Sequence, residues 1–169
     1  VTIEAVTVRR GSTGVYLTEV RDSRIAALES HDMRGPFPRG MALQYAGCSG
    51  THTATDLSDE SIPGTSHNED SFSVFDSPNV SLARIKVPMM SDAPAGRGLV
   101  IEQSGSVNCQ VDQLELGWIF NGSLAMDGSQ LRARGIRTRG WNRFSVRGLP
   151  GSSHDGKYPP AMLAFGGTV

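Results

Sequence analysis

Residues able to bind charged partners are concentrated between positions 131 and 148, a stretch that reads LRARGIRTRGWNRFSVRG. It holds six arginines, one tryptophan and no acidic residue. Guanidinium groups bind carboxylates and phosphates through paired N–H donors, so the stretch is predicted to form an interface or a polyanion-binding surface. The six arginines are Arg132, Arg134, Arg137, Arg139, Arg143 and Arg147.

A segment of opposite charge lies between residues 40 and 83, which contain six acids and neither lysine nor arginine. Because six acids match six arginines, we expect the basic stretch to meet carboxylates of the same chain or of a neighbouring copy. The net charge of −1 argues against nucleic acid as the partner, and less strongly against an anionic glycan. The acids are Asp56, Asp59, Glu60, Glu69, Asp70 and Asp76.

Sequence patterns of catalysis and metal binding are missing. No two of the four histidines have the spacing of a metal site, and two cysteines, Cys48 and Cys109, are too few for one. A hydrolase would have to use His31-Asp32 or His154-Asp155, yet no G-x-S-x-G nucleophile motif is present. We therefore predict no catalytic residue, no metal, no cofactor and no enzymatic activity, and we expect both cysteines to be buried thiols.

A few aromatic side chains offer a different chemistry. An exposed ring can stack on a sugar or a base. Trp141 and Tyr158 are the candidate stacking residues, with Trp118 a third if it is exposed. They support a second reading, in which the protein binds a glycan.

The elements that would position these residues are predicted to be β-strands. Runs rich in β-branched residues occur at Val1–Val8 and Val15–Val20, and Leu114–Phe120 alternates apolar and polar residues. Asn121-Gly122 and Asp127-Gly128 are typical hairpin turns, which predicts an antiparallel meander from Leu114 to Arg139. Further strands are predicted at Phe72–Phe75, Val80–Val87, Leu99–Gln103, Val107–Val111 and Ala161–Phe165, with Ser104-Gly105 as a hairpin loop between the third and the fourth of these.

Two segments depart from this strand pattern. Ser23–Ser30, after Asp22 as N-cap, is predicted to form one short helix. Gly47–Asp70 is rich in Ser, Thr and Asp and poor in apolar residues, which indicates a long, mobile acidic loop. Within the basic stretch, Gly135 breaks the alternation, and a β-bulge there would bring Arg132, Arg134, Arg137 and Arg139 to one face. No internal repeat is visible.

These features predict a single all-β domain over residues 1–169, an antiparallel β-sandwich of jelly-roll type. Such a fold with split charge and no catalytic motif suggests a structural, self-assembling subunit, for example a virus coat, decoration or protruding domain. Its expected partners are further copies or neighbouring structural proteins. The alternative is a lectin-like module for a glycan. No signal peptide or membrane span is visible, and a virion or extracellular location is favoured.

Overall fold

The described part of the protein is a stack of parallel strands in two sheets. The structure is a computed structural model and describes residues 1–36, 39–62, 65–89, 97–118, 121–138 and 162–165. The first sheet, sheet A, contains β1 (Thr2–Arg9), β3 (Arg21–His31), β5 (Ser49–Glu60), β7 (Val80–Met89), β9 (Cys109–Trp118) and β11 (Leu131–Thr138). The second, sheet B, contains β2 (Val15–Thr18), β4 (Leu43–Ala46), β6 (Asp70–Phe75), β8 (Arg97–Glu102), β10 (Asn121–Met126) and β12 (Met162–Phe165).

The chain alternates between the sheets, so that each turn lays one strand on sheet A and one on sheet B. Every pair of neighbouring strands in either sheet is parallel. A chain that returns to the same sheet after each circuit, one strand further along, forms a β-solenoid.

The predicted antiparallel jelly-roll sandwich is therefore wrong, although the all-β class is correct. Hairpins were expected at Ser104-Gly105, Asn121-Gly122 and Asp127-Gly128. Asn121 and Gly122 instead begin β10, while the other two pairs connect strands of different sheets. A Gly-containing turn that accepts positive φ serves a solenoid corner as well as a hairpin, because both need a sharp change of direction.

The predicted helix and the predicted acidic loop are also wrong. Ser23–Ser30 lies inside β3, and the described residues contain no helix; none of them therefore forms a helix that could cross a membrane. Residues 49–60 of the supposed loop form β5, which spans twelve residues. In β5, Ala54 and Leu57 are buried and the polar residues between them face outward, an alternation that the many Ser, Thr and Asp residues obscured.

A structural repeat of 28 or 29 residues joins the middle strands of sheet A, while the first and last pairs of strands in that sheet are 22 residues apart. In the middle of sheet A, Ile25 pairs with Ala54, Ala54 with Leu82, and Leu82 with Val111. The prediction of no internal repeat is thus wrong. The repeat escapes inspection of the sequence because its core positions need only be apolar.

The core fills the space between the two sheets. Sheet A contributes two apolar rows, one of which contains Leu28, Leu57, Ile85 and Leu114, all at most 1% exposed. Sheet B contributes Leu43, Phe72 and Leu99 in one row and Tyr45, Val74 and Ile101 in the next, again at most 1% exposed. In each row, apolar side chains stack on those of the next turn. The apolar area that they bury stabilises the fold by roughly 25 cal/mol per Å².

Left-handed residues also stack from turn to turn. One row lies where the chain enters sheet A and contains Asp22, Gly50, Asn79 and Asn108, with φ between 54° and 83°. In this row, Asn108 Nδ2 donates to Asn79 Oδ1 (2.9 Å), and Asn79 Nδ2 donates to the Gly50 carbonyl oxygen (3.0 Å). Asn, Asp and Gly tolerate this backbone region best, so the polar ladder fixes both the corner and the stacking.

Candidate functional site

A groove crosses the outer face of sheet A, with a volume of about 880 Å³. Five successive strands line it, from β3 to β11, so it runs along the stack and across the strands. Neighbouring strands are about 4.8 Å apart, and the groove therefore extends for roughly 19 Å. Among its described lining residues there is no aromatic side chain and no histidine.

The groove follows a second row of left-handed residues, one in the middle of each sheet A strand. This row contains Ala5, Ala27, Asp56, Arg84, Gln113 and Gly135, with φ between 52° and 66°, and all of them except Ala5 line the groove. A left-handed residue interrupts the extended backbone, so each strand changes direction at the same level. The stacked bends make the outer face concave.

Gly135 was predicted to interrupt its strand, and it does so, with φ of 66°. The interruption is not a bulge, because Arg134 still pairs with Asp112 and Ile136 with Leu114 in unbroken register. The bend is shared with the neighbouring strand, where Gln113 is also left-handed. Of the four arginines predicted to share a face, Arg132, Arg134 and Arg137 are exposed, and Arg139 lies outside the described residues.

The centre of the groove carries a bidentate ion pair between Asp56 and Arg84. Arg84 Nε and Nη2 donate to Asp56 Oδ1 and Oδ2 at 2.6 and 2.7 Å. The hydrogen bonds from Arg84 lower the pKa of the Asp56 carboxyl, and the pairing raises the pKa of Arg84. Each side chain remains about half exposed, so the pair is a fixed polar feature that a ligand can reach.

A second pair lies two strands further along. Arg134 Nη2 donates to Asp112 Oδ2 at 2.9 Å, which raises the pKa of Arg134. Asp112 also adds to the field that raises the pKa of Arg84. The two pairs therefore form one line of alternating charge across β5, β7, β9 and β11.

A parallel row of polar side chains lies on the other side of the bends. Register pairing places Glu29, Ser58, Lys86, Glu115 and Arg137 side by side on consecutive strands, and all five line the groove. The charges again alternate in sign. The described lining residues include four carboxylates and four cations in total, so the groove is formally neutral.

The predicted arginine surface is only partly within the described residues. Arg134 and Arg137 line the groove, while Arg132 lies on the same outer face outside it. Arg139, Arg143 and Arg147 lie outside the described residues. Arg134 does meet a carboxylate of the same chain, but that carboxylate is Asp112, which was not among the expected partners.

The six acids of the predicted acidic loop are dispersed by the fold. Asp56 faces the groove and pairs with Arg84 rather than with the basic stretch. Asp59 and Asp70 are buried, and Glu60 lies 3.6 Å from His31 Nδ1. The remaining two have separate places: Glu69 is half-buried in the loop after β5, and Asp76 is exposed at a solenoid corner.

A buried polar cluster surrounds Asp59 inside the solenoid. Ser30 Oγ donates to Asp59 Oδ1 at 2.5 Å, Asn68 Nδ2 donates to Asp59 Oδ2 at 2.7 Å, and Ser61 Oγ donates to Asn68 Oδ1 at 2.9 Å. Burial raises the pKa of Asp59 to about 6 despite these hydrogen bonds. The cluster is enclosed by the fold, so it is not accessible to a ligand.

Of the residues from which a hydrolase would be built, the described ones, His31 and Asp32, contact different partners. His31 lies near Glu29 and Glu60, at 3.8 and 3.6 Å, while the Asp32 carboxylate accepts from Arg34, Thr65 and Ser66. The pair His154-Asp155 lies outside the described residues, as do the aromatic candidates Trp141 and Tyr158. For Trp118 the structure describes the backbone, in β9, and not the side chain.

A serine–histidine pair does occur, but it is in the core. Ser23 Oγ lies 2.9 Å from His52 Nδ1, and His52 Nε2 lies 2.9 Å from the Ser49 carbonyl oxygen. The carbonyl can only accept, so Nε2 carries the proton and Nδ1 accepts from Ser23. Burial lowers the pKa of His52, and no substrate can reach the pair because both residues are buried.

The two cysteines are free and buried, as predicted. The Cys48 thiol donates to the Leu17 carbonyl oxygen at 3.3 Å, and its backbone N–H donates to Ser77 Oγ. Ser77 N–H in turn donates to Ser106 Oγ, one turn further along. Cys48 is therefore one member of a buried ladder at a solenoid corner.

Sequence reasoning missed most groove residues, including Glu29, Arg84, Lys86, Asp112 and Glu115. Each is a single charge inside an apolar–polar alternation, which ordinarily indicates a solvated strand face. Only the 28- or 29-residue offset, as between Asp56 and Arg84, could have brought them together. Comparisons of the chain with protein-family models, with curated proteins and with solved structures found no match.

Proposed function

We propose that the protein is a non-enzymatic carbohydrate-binding module in which an extended glycan lies in the sheet A groove, along the stack. One observation carries the proposal: five consecutive strands supply polar side chains to one continuous trough. A trough of roughly 19 Å suits several units of a polymer better than a single small molecule. The glycan was the second reading of the sequence, and the polar groove supports it.

The chemistry of the groove matches the hydroxyl groups of sugars. A hydroxyl both donates and accepts hydrogen bonds. Each ion pair presents a carboxylate acceptor beside guanidinium donors, and Arg84 retains N–H groups beyond the two that contact Asp56. Because the pairs already hold their side chains in place, a ligand meets donors and acceptors with little further loss of rotamer freedom.

The carboxylates of the groove favour binding over hydrolysis. A glycosidase needs a carboxylic acid with a raised pKa as its general acid. Arg84 has the opposite effect on Asp56, whose pKa it lowers. Asp112 accepts a hydrogen bond from Arg134.

A polysaccharide microarray tests the proposal. We expect the wild-type protein to bind some of the printed glycans, and the double variant Asp56→Ala/Arg84→Ala to lose that binding. Arg24→Ala is the matched control, because Arg24 is exposed on the same sheet but does not line the groove. Equal binding by the double variant, or no binding by the wild type, would refute the proposal.

A second candidate function, the structural subunit suggested by the sequence, is favoured by the edge of sheet A. Among the described strands, β1 pairs only with β3, so its other edge has no strand beside it. An unpaired edge is a template for strand addition, and a second copy could extend the stack there. Sedimentation velocity over a range of concentrations tests this function. A monomer throughout would exclude edge-to-edge assembly, whereas a Thr7→Pro variant should dissociate any oligomer that uses this edge.

A further inference from the structure

We infer that the ligand of the groove is an uncharged, hydroxyl-rich polysaccharide and not a polyanion. This inference rests on the proposed carbohydrate function and narrows it to one chemical class. It begins with the sign and order of the charges that face the ligand. From the sequence, the arginine-rich stretch was expected to meet carboxylates of this chain or of a neighbouring copy, with a polyanion as the alternative.

The described lining of the groove has no continuous basic track. Its carboxylates are Glu29, Asp56, Asp112 and Glu115, and its cations are Arg84, Lys86, Arg134 and Arg137. In the row of polar side chains that begins at Glu29, Lys86 is in register with Glu115, and Glu115 is in register with Arg137. A polyanion that follows the stack would therefore place its charges beside carboxylates as well as cations. Like-charge contacts between partners are unfavourable and disfavour such a ligand.

Two of the four cations are already engaged. Arg84 is bound by Asp56 through two hydrogen bonds, and Arg134 is bound by Asp112. Their charges are largely compensated, while their remaining N–H groups can still donate to a neutral oxygen. This arrangement favours hydroxyl ligands, which exploit hydrogen bonds without requiring a net charge in the groove.

The described lining also lacks aromatic rings, so binding there depends on hydrogen bonds. Such a site recognises the positions of hydroxyl groups along the polysaccharide, because each successive strand contacts a different part of the polymer. A short sugar would satisfy only part of the groove, which makes affinity rise with the length of the polymer.

Native affinity electrophoresis in gels containing one polysaccharide each tests the inference. The panel consists of neutral polymers (a glucan, a mannan and a xylan) and anionic ones (polygalacturonate, alginate and heparin). We expect retardation by at least one neutral polymer and by no anionic one, with little change on addition of salt, because no ion exchange is involved. Arg84→Ala should weaken the retardation about tenfold, and Arg24→Ala should leave it unchanged.

A charge variant separates this inference from the function on which it rests. Glu29→Gln/Glu115→Gln gives the groove two more positive than negative groups and should create salt-sensitive binding to the anionic polymers. Retardation of the wild type by anionic polymers alone, or equally by both classes, would overturn the neutral-ligand inference and leave carbohydrate binding standing. Retardation by none would overturn both. Capture of a protein partner through the same groove, lost in Arg84→Ala, would also overturn both.

Discussion

At the scale of single residues, burial separates chemically similar carboxylates into different roles. Asp56 is exposed and bound by Arg84, Asp32 is buried but bound by Arg34, and Asp59 is buried among neutral donors. Their pKa values move accordingly: that of Asp32 falls to about 2, mainly through its hydrogen bonds with Arg34, and that of Asp59 rises to about 6 through desolvation. Each shift links the stability of the fold to pH.

Asp59→Asn should stabilise the protein at neutral and alkaline pH. The pKa of Asp59 is raised by burial, so its contribution to stability is fully present below pH 3.8 and is lost as pH rises through about 6. The amide removes this loss. Asn at this position can donate to Ser30 Oγ, whose hydroxyl then donates to the Ser58 carbonyl oxygen, 3.2 Å away.

Urea unfolding between pH 4 and pH 8 measures the effect. The stability of the variant relative to wild type should increase across this range by on the order of 3 kcal/mol. Asp56→Asn is the control, since the pKa of Asp56 is lowered and not raised. A difference that stays flat between pH 4 and pH 8 would show that Asp59 has no raised pKa.

Asp32→Asn should destabilise the corner that joins the loops after β3 and β5. Asp32 Oδ2 accepts from Arg34 Nε and Nη2, and Oδ1 accepts from Thr65 and Ser66. The amide of the variant keeps one acceptor oxygen, but its NH2 group faces side chains that are themselves donors. This mismatch should lower the free energy of unfolding by roughly 2–4 kcal/mol. Thermal unfolding at pH 7 provides the measurement, with exposed Asp76→Asn as the control. Equal melting temperatures for both variants would contradict this account of the corner.

The wild-type stability that depends on Asp32 should disappear only in strong acid. Because the folded-state pKa is lowered to about 2, the contribution is present above pH 3.8 and is lost as pH falls through about 2. The Asp32→Asn variant should therefore lose less stability than the wild type between pH 4 and pH 2. The same titration of unfolding free energy checks this, and parallel curves for the two proteins would contradict it.

At the scale of elements, the sequence located strands better than it paired them. The predictions for Phe72–Phe75 and Val80–Val87 fall within β6 and β7, because local alternation and β-branched residues suffice to identify a strand. Alternation is the same in parallel and antiparallel strands, so it could not decide between a meander and a solenoid. The Asn-Gly and Asp-Gly pairs favoured hairpins, and the prediction was therefore a meander.

Most of the candidate site could not be predicted, because it depends on which strands pair with each other. Arg134 and Arg137 were identified from their local density, but Asp112 and Glu115 were not, since each lies about 22 residues away from its partner in register. Such pairs become visible only when the length of a turn is known. The ladder at Gly50, Asn79 and Asn108 carries the 29-residue offset of the preceding turns and not the 22-residue offset between β9 and β11, and it consists of small polar residues that resemble ordinary turns.

The asparagine ladder provides a test of how corners stabilise the stack. Asn79→Ala removes two hydrogen bonds between turns and places alanine at a φ of 54°. We expect a loss of roughly 2–4 kcal/mol in unfolding free energy. Asn79→Gly removes the same bonds but accepts the backbone, so it should cost about 1 kcal/mol less than alanine. Alanine and glycine variants of equal stability would mean that the left-handed conformation at this corner is not maintained.

At the scale of the whole molecule, stability is a sum of contacts between neighbouring turns. In a solenoid each turn contacts only the turns beside it, so the middle of the stack is held from both sides. The central strands β5 and β7 should therefore exchange their amide hydrogens more slowly than β1. This reverses the sequence-based expectation that Gly47–Asp70 is mobile. Fast exchange throughout residues 49–60 would contradict the stack.

The groove exists only if strands one turn apart are parallel neighbours in register, which makes this arrangement the central claim. Nuclear Overhauser contacts between methyl groups in the selectively labelled protein test it most directly. The stack predicts contacts between Leu57 and Ile85 and between Ile85 and Leu114, residues that pair in register at offsets of 28 and 29. The absence of both contacts, together with Hα–Hα contacts joining residues 114–118 to residues 121–126 as in a hairpin, would contradict the solenoid and the groove with it.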